Sequence, residues 1–161
     1  MKTICNTAIL LFGLLDFLSC ATAGVVCEDL KTMGELLHGT ANQVSVANTD
    51  LMSMSKLSSQ NESDAPRTMM ISYEADAVIR EVIPHAAFIQ MQNEMKVEAD
   101  RKVVGKYQNR FFLQGVPVLN QRISNINGYI PGIKNMALIQ QAMKVRDSVQ
   151  AVLDAFKACA K

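Results

Sequence analysis

Two cysteines, Cys27 and Cys159, remain near the two ends of the chain once an apolar leader is set aside. In an oxidising compartment an even pair of cysteines predicts one disulfide. The Cα atoms of a disulfide lie about 4.4 to 6.8 Å apart, whereas a helix of some thirty residues is about 45 Å long. The pair therefore predicts that the chain returns to its starting end. Free thiols, or a disulfide between two chains, are the alternatives.

The leader has the order of charges and apolar residues that is typical of a signal peptide. Lys2 precedes the apolar run Ala8 to Leu15, and Ala21-Thr22-Ala23 supplies small residues at a cleavage site. We predict a signal peptide over residues 1–23 and one secreted domain over residues 24–161, since this length suits a single core. The alternative is a lipidated Cys20. The apolar run is too short to cross a bilayer, so no membrane-spanning helix is expected.

Apolar residues at steps of three and four indicate long amphipathic helices at both ends of the mature chain. The final series ends on Cys159, and Cys27 lies three residues before the first member of the opening series, so both cysteines face the core. The opening series is Leu30, Met33, Leu37, Thr40, Val44, Ala47, Leu51, Met54 and Ser58. The final series is Leu138, Ala142, Val145, Val149, Val152 and Phe156.

The middle of the chain is also helical but is interrupted by proline and glycine. An apolar series through Met70, Tyr73, Ala77 and Val82 meets Pro84 and continues with Phe88, Met91, Met95 and Ala99, then Val104, Tyr107 and Phe111. Gly115-Val116-Pro117 is a second expected break, followed by a short segment from Leu119 to Ile130. Since strand signals are weak, we predict an all-α fold, an antiparallel bundle of four to five helices whose first and last helices are joined by the disulfide. Four passes return the chain to its start if a proline kinks a helix rather than ending it.

A polar loop is expected between the first two helices. Residues 58–65 read SSQNESDA, and Pro66 suits the first turn of the next helix with Ser63 or Asp64 as its cap. The loop contains Asn61-Glu62-Ser63, which is an acceptor sequence for N-glycosylation. We therefore predict that Asn61 carries a glycan if the producing cell glycosylates its secreted proteins.

The composition and motifs argue against several functional classes. The net charge is +1 and the basic residues form no run, so binding to nucleic acid or to an acidic membrane surface is not expected. The only histidines, His38 and His85, stand in no metal-ligand spacing, and no nucleophile or phosphate-binding motif is present. We predict no enzyme activity, no catalytic residues, no metal site and no cofactor.

Methionine is abundant for a chain of this length. There are ten methionines and no tryptophan, and only Met1 falls in the leader. Methionine fills irregular cores and adaptable binding surfaces, and we expect at least one of Met52, Met54 and the Met69-Met70 pair to be exposed. In outline the chain is similar to secreted helical groups such as four-helix cytokines, fungal apolar-ligand proteins and small pathogen effectors, by architecture alone. We predict a secreted protein that binds a protein partner, in the manner of a host-directed effector or virulence protein. The alternative is an extracellular carrier of an apolar small molecule.

Overall fold

All long elements in the described part of the chain are α-helices. The computed structural model describes residues 29–56, 63–95 and 98–160. The four helices are α1 (Leu30–Lys56), α2 (Ala65–Asn93), α3 (Glu98–Tyr129) and α4 (Met136–Cys159), and a 3₁₀ turn, Ile130–Gly132, precedes the last. No strand occurs among these residues. The predicted all-α fold class is confirmed.

Helices α1 and α2 run antiparallel along their whole length. Near one end the hydroxyls of Ser55 and Thr68 lie 2.9 Å apart. Near the other end a Cβ atom added to Gly34 would lie 3.1 Å from Cγ of Gln90. The end of α1 therefore meets the start of α2, and the start of α1 meets the end of α2.

The other helix pairs are antiparallel as well. Nη1 of Arg122, late in α3, donates to Oε2 of Glu74, early in α2, over 2.9 Å. Nε2 of Gln141, early in α4, donates to the carbonyl oxygen of Ala47, late in α1, over 3.0 Å. The helices thus pack in a ring of four passes, and the end of α4 returns to the start of α1.

Both internal prolines lie within helices rather than at their ends. Pro84 is inside α2 and Pro117 is inside α3. Proline removes one backbone hydrogen bond from a helix, but both side chains here are exposed, so water can hydrate the carbonyl that lacks a partner. The expected break at Gly115-Val116-Pro117 is wrong, and the segment from Leu119 to Ile130 continues α3 for most of its length.

The predicted core faces of the first and last helices are confirmed. Every member of the final apolar series is buried, and Cys159 is only 4% exposed. In α1 the central members of the opening series are buried as expected, namely Leu37, Thr40, Val44, Ala47 and Leu51. Leu30, Met33 and Met54 are partly buried, and Ser58 lies outside the described residues. These faces form one hydrophobic core with the inner faces of α2 and α3.

The predicted core face of α2 is wrong by about one residue in phase. Val82 is buried, but Tyr73 is 60% exposed and Met70 is 43% exposed. The buried apolar series of α2 is instead Ile71, Ala75, Val78, Val82, Ala86 and Ile89. Because α2 carries apolar residues on two faces, helical spacing alone does not identify the buried face. The predicted series followed the outer one.

Asp64 joins the start of α2 to the start of α4. It occupies the N-cap position of α2, which confirms one of the two predicted cap residues, but its side chain makes no hydrogen bond to that helix. The buried carboxylate instead accepts from the backbone N–H of Asn135 over 2.9 Å and of Lys134 over 3.0 Å. These two N–H groups hold the pKa of Asp64 below its ordinary value of 3.8.

We expect Asp64→Asn to lower the free energy of unfolding by about 1 to 3 kcal/mol at pH 7, because a charged acceptor of two backbone bonds is lost. A lowered pKa in the folded state means that the contribution is complete above pH 3.8 and is lost as the pH falls through the lower folded-state value. The difference between variant and wild type should therefore shrink below pH 4. Urea unfolding at pH 7, 5, 4 and 3 measures it.

Asp50→Asn is the matched control, because Asp50 is exposed in the second half of α1. It should change the free energy of unfolding by less than about 0.5 kcal/mol at pH 7. Equal effects of the two substitutions at pH 7 would contradict the role given to Asp64.

Candidate functional site

The predicted site residues fall partly outside the described residues. Cys159 lies on the last turn of α4 and faces the core. The predicted partner, Cys27, the predicted glycosylation site, Asn61, and the predicted signal peptide all lie outside the described residues. The pairing of Cys159 with Cys27 thus stays a prediction.

A cavity lies beside Cys159 at the end of the bundle where α1 and α3 begin and α4 ends. Its volume is about 410 Å³. Apolar side chains form much of its wall, and they are Leu30, Met33, Phe112 and Cys159. This volume is within the range of about 300 to 1,000 Å³ that is typical of small-molecule sites.

Charged groups surround the mouth of this cavity. Lys102 and Lys106 lie one turn apart on α3, and both are exposed. Asp29 also lines the cavity, but its carboxylate caps α1, accepting from the backbone N–H of Thr32 over 2.7 Å and from its hydroxyl over 2.9 Å. These bonds lower the pKa of Asp29, the backbone N–H having the larger effect.

A second depression lies between α1 and α4 and is larger but bordered by polar groups. Its volume is about 850 Å³. The apolar side chains in its lining are those of Val46 and Ala47. The other lining side chains carry amide, hydroxyl or charged groups, and the charged ones are Asp50, Lys144 and Asp147. Charges of both signs therefore face this groove.

The two histidines are separate in the structure. His38 is exposed on α1, and its Nδ1 lies 3.3 Å from the side-chain amide of Asn42. His85 is half-buried within α2 and stacks on Phe111 with ring centroids 3.4 Å apart. Burial lowers the pKa of His85 below 6.5, and the carboxylate of Glu81 opposes this effect.

The outer face of α2 presents apolar side chains that the core does not use. Met69 and Tyr73 are each 60% exposed near its start, and Met91 is 52% exposed near its end. Tyr73 and Met91 are about five turns apart, so they point in nearly the same direction. The outer α2 face comprises Met69, Tyr73, Pro84, Ala87 and Met91, all of which are exposed.

The apolar surface continues from α2 onto α3. The side-chain amides of Gln92 and Gln108 are hydrogen-bonded between these helices. Met91 and Tyr107 directly precede these two residues, and both side chains are more than half exposed. The expectation that at least one of Met52, Met54 and the Met69-Met70 pair is exposed is confirmed by Met69 and Met70. The mismatch between these two residues and the Ile71 series was the sequence signal for the whole face.

The chain matches no known protein family, no curated protein and no solved structure. Over the described residues, no group of three or more histidine, cysteine, aspartate or glutamate side chains is placed to hold a metal ion. None of the helices in that part of the chain combines the length and the apolar character needed to cross a membrane.

Proposed function

We propose that the chain is a secreted, non-enzymatic protein that binds a macromolecular partner through the outer α2 face, in the manner of a host-directed effector. The observation that carries this proposal is the exposure of Met69, Tyr73 and Met91 on a helix whose other face already supplies a complete core stripe. Apolar residues on such a face add nothing to the core, and tyrosine and methionine are enriched at protein interfaces.

The identity of the side chains also favours a protein partner. Tyrosine offers a rigid apolar ring with a polar hydroxyl, and methionine adapts its shape to the surface it meets. Arg80 lies between the two apolar ends of the face, and its Nε donates to the carbonyl oxygen of Asp76. A partner with an apolar surface and a central acidic group would complement this arrangement.

The test is photo-crosslinking from position 73 in extracts of the tissue or host that the protein meets. Met69→Ser with Met91→Ser should weaken capture of the crosslinked partner by about tenfold, because each lost side chain removes part of the apolar contact. Met136→Ser with Met143→Ser is the control, since these methionines are exposed on α4. It should leave capture unchanged.

Equal capture by the two double variants would overturn the assignment to the outer α2 face. A crosslink to a second copy of the chain would show self-association instead of a foreign partner. Failure to obtain any specific crosslink would count against partner binding itself.

The proposed secretion and disulfide rest on the sequence and on the bundle. Leu30 and Cys159 line the same cavity, and three residues of extended chain span about 10 Å, which supports the proposed pairing of Cys27 with Cys159. We expect non-reducing peptide mapping of the secreted protein to yield one linked pair of peptides containing Cys27 and Cys159, and a mature chain that begins at Gly24. A reduced Cys27, or a bridge between two chains, would contradict the pairing.

A further inference from the structure

We propose that the cavity beside Cys159 binds a long-chain fatty acid, with the alkyl chain against its apolar wall and the carboxylate at Lys102 and Lys106. This inference concerns a different site from the outer α2 face and does not depend on partner binding there. It gives the apolar carrier hypothesis a specific location and a specific ligand chemistry.

The wall of the cavity suits an alkyl chain. Leu30 and Met33 of α1 face Phe112 of α3, and Phe112 is fully buried at the inner end. Cys159 of α4 adds sulfur to the same wall. Flexible methionine and leucine side chains can adjust around a chain of variable bends, because neither has a branched Cβ.

The charge at the mouth favours an anionic head group over a neutral or cationic one. Residues four apart on a helix share a face, so the ammonium groups of Lys102 and Lys106 can approach one carboxylate together. Among the described side chains neither lysine takes part in an ion pair. The nearby carboxylate of Asp29 is already bonded to Thr32.

Gly105 opens the cavity between the two lysines. A Cβ atom built on Gly105 would meet no atom within 4 Å, so a larger side chain there enters the cavity rather than the core. The groove between α1 and α4 differs in its charge, because its lining has two carboxylates, Asp50 and Asp147, and one ammonium group, Lys144, whereas the cavity has two lysines and one carboxylate.

The experiment uses the delipidated mature protein with its disulfide intact. Palmitate should bind in a one-to-one complex by native mass spectrometry and by calorimetry, and hexadecanol should bind at least tenfold more weakly. Gly105→Leu should weaken palmitate binding at least tenfold, because leucine occupies the cavity. Gly39→Leu is the control, since Gly39 also has open space around it but lies in the middle of α1.

The head-group contact has a separate variant. Lys102→Ala with Lys106→Ala should weaken palmitate binding about tenfold and leave hexadecanol binding within twofold of the wild type. The absence of a one-to-one palmitate complex with the wild type would overturn the proposal, and this result needs no variant to fold. Equal affinity of the wild type for palmitate and hexadecanol would overturn the role of the lysines, and unchanged binding by Gly105→Leu would overturn the location.

Discussion

Glu74→Leu is expected to lower the free energy of unfolding by about 3 kcal/mol, because it leaves the guanidinium of Arg122 largely buried without its partner. Glu74 is 6% exposed. Its carboxylate accepts from Arg122 over 2.9 Å and from the side-chain amide of Asn125 over 2.8 Å. Both donors belong to α3, so the Glu74 carboxylate links α2 to α3 through two hydrogen bonds. Urea unfolding monitored by circular dichroism measures the loss.

The matched control is Glu35→Leu, because Glu35 forms an exposed ion pair with Lys31 at 3.9 Å. Exposed pairs contribute about 0 to 1 kcal/mol, so the control should change stability little. Adding Arg122→Met to Glu74→Leu should recover part of the loss, since the unpaired charge is then removed. Equal losses for Glu74→Leu and Glu35→Leu, or no recovery in the double variant, would contradict this account.

Gly115→Ala is expected to lower the free energy of unfolding by about 2 to 3 kcal/mol through overpacking. An added Cβ would lie 2.7 Å from Cδ1 of Phe156, and still closer to Cε1. Phe156 cannot move aside easily, because it is 1% exposed and packs edge-on against Phe112 with ring centroids 5.1 Å apart. Thermal and urea unfolding of the variant measure the effect.

Gly105→Ala is the control within the same helix. No atom lies within 4 Å of a Cβ at Gly105, and alanine favours a helix over glycine by about 1 kcal/mol, so this variant should be slightly more stable than wild type. A Gly115→Ala protein that gained as much stability would show that the Phe156 ring relaxes freely. The ring contact would then not be the reason for glycine at this position.

Sequence spacing alone was sufficient for the first and last helices. Each has one apolar stripe opposite a polar face, so the steps of three and four can be assigned in only one phase. The burial of Leu37, Val44 and Leu51 in α1 and of the whole final series in α4 follows from that single stripe. The inward phase of Cys159 was predicted in the same way.

The same reasoning failed in α2 because two apolar series overlap there. The Met70 and Tyr73 series and the Ile71 and Ala75 series both have helical spacing, and only contacts with other helices decide between them. The Gly115-Val116-Pro117 segment failed for a related reason. Glycine and proline usually end helices. Here the ring of Phe156 packs against the backbone of Gly115 and Pro117 is exposed, so α3 continues through both residues.

The candidate sites were harder to predict from the sequence than the fold was. The methionine content suggested an adaptable surface or interior, but it could not place Met69 and Met91 on one outer face or separate them from the cavity. The cavity itself combines the start of α1, the start of α3 and the end of α4, which are remote in the chain. No pattern within a single segment of the sequence predicts that α1, α3 and α4 come together at this cavity.

The sequence by itself determined the helical class, the single inward stripes of α1 and α4 and the inward phase of Cys159. These properties depend on residues three and four positions apart, so each helix carries them independently of its neighbours. The tertiary structure decided which face of α2 is buried, why Gly115 is a glycine, and where Asp64 and Glu74 find their donors. Those outcomes depend on side chains that approach from other helices, and burial is settled only when those helices pack together.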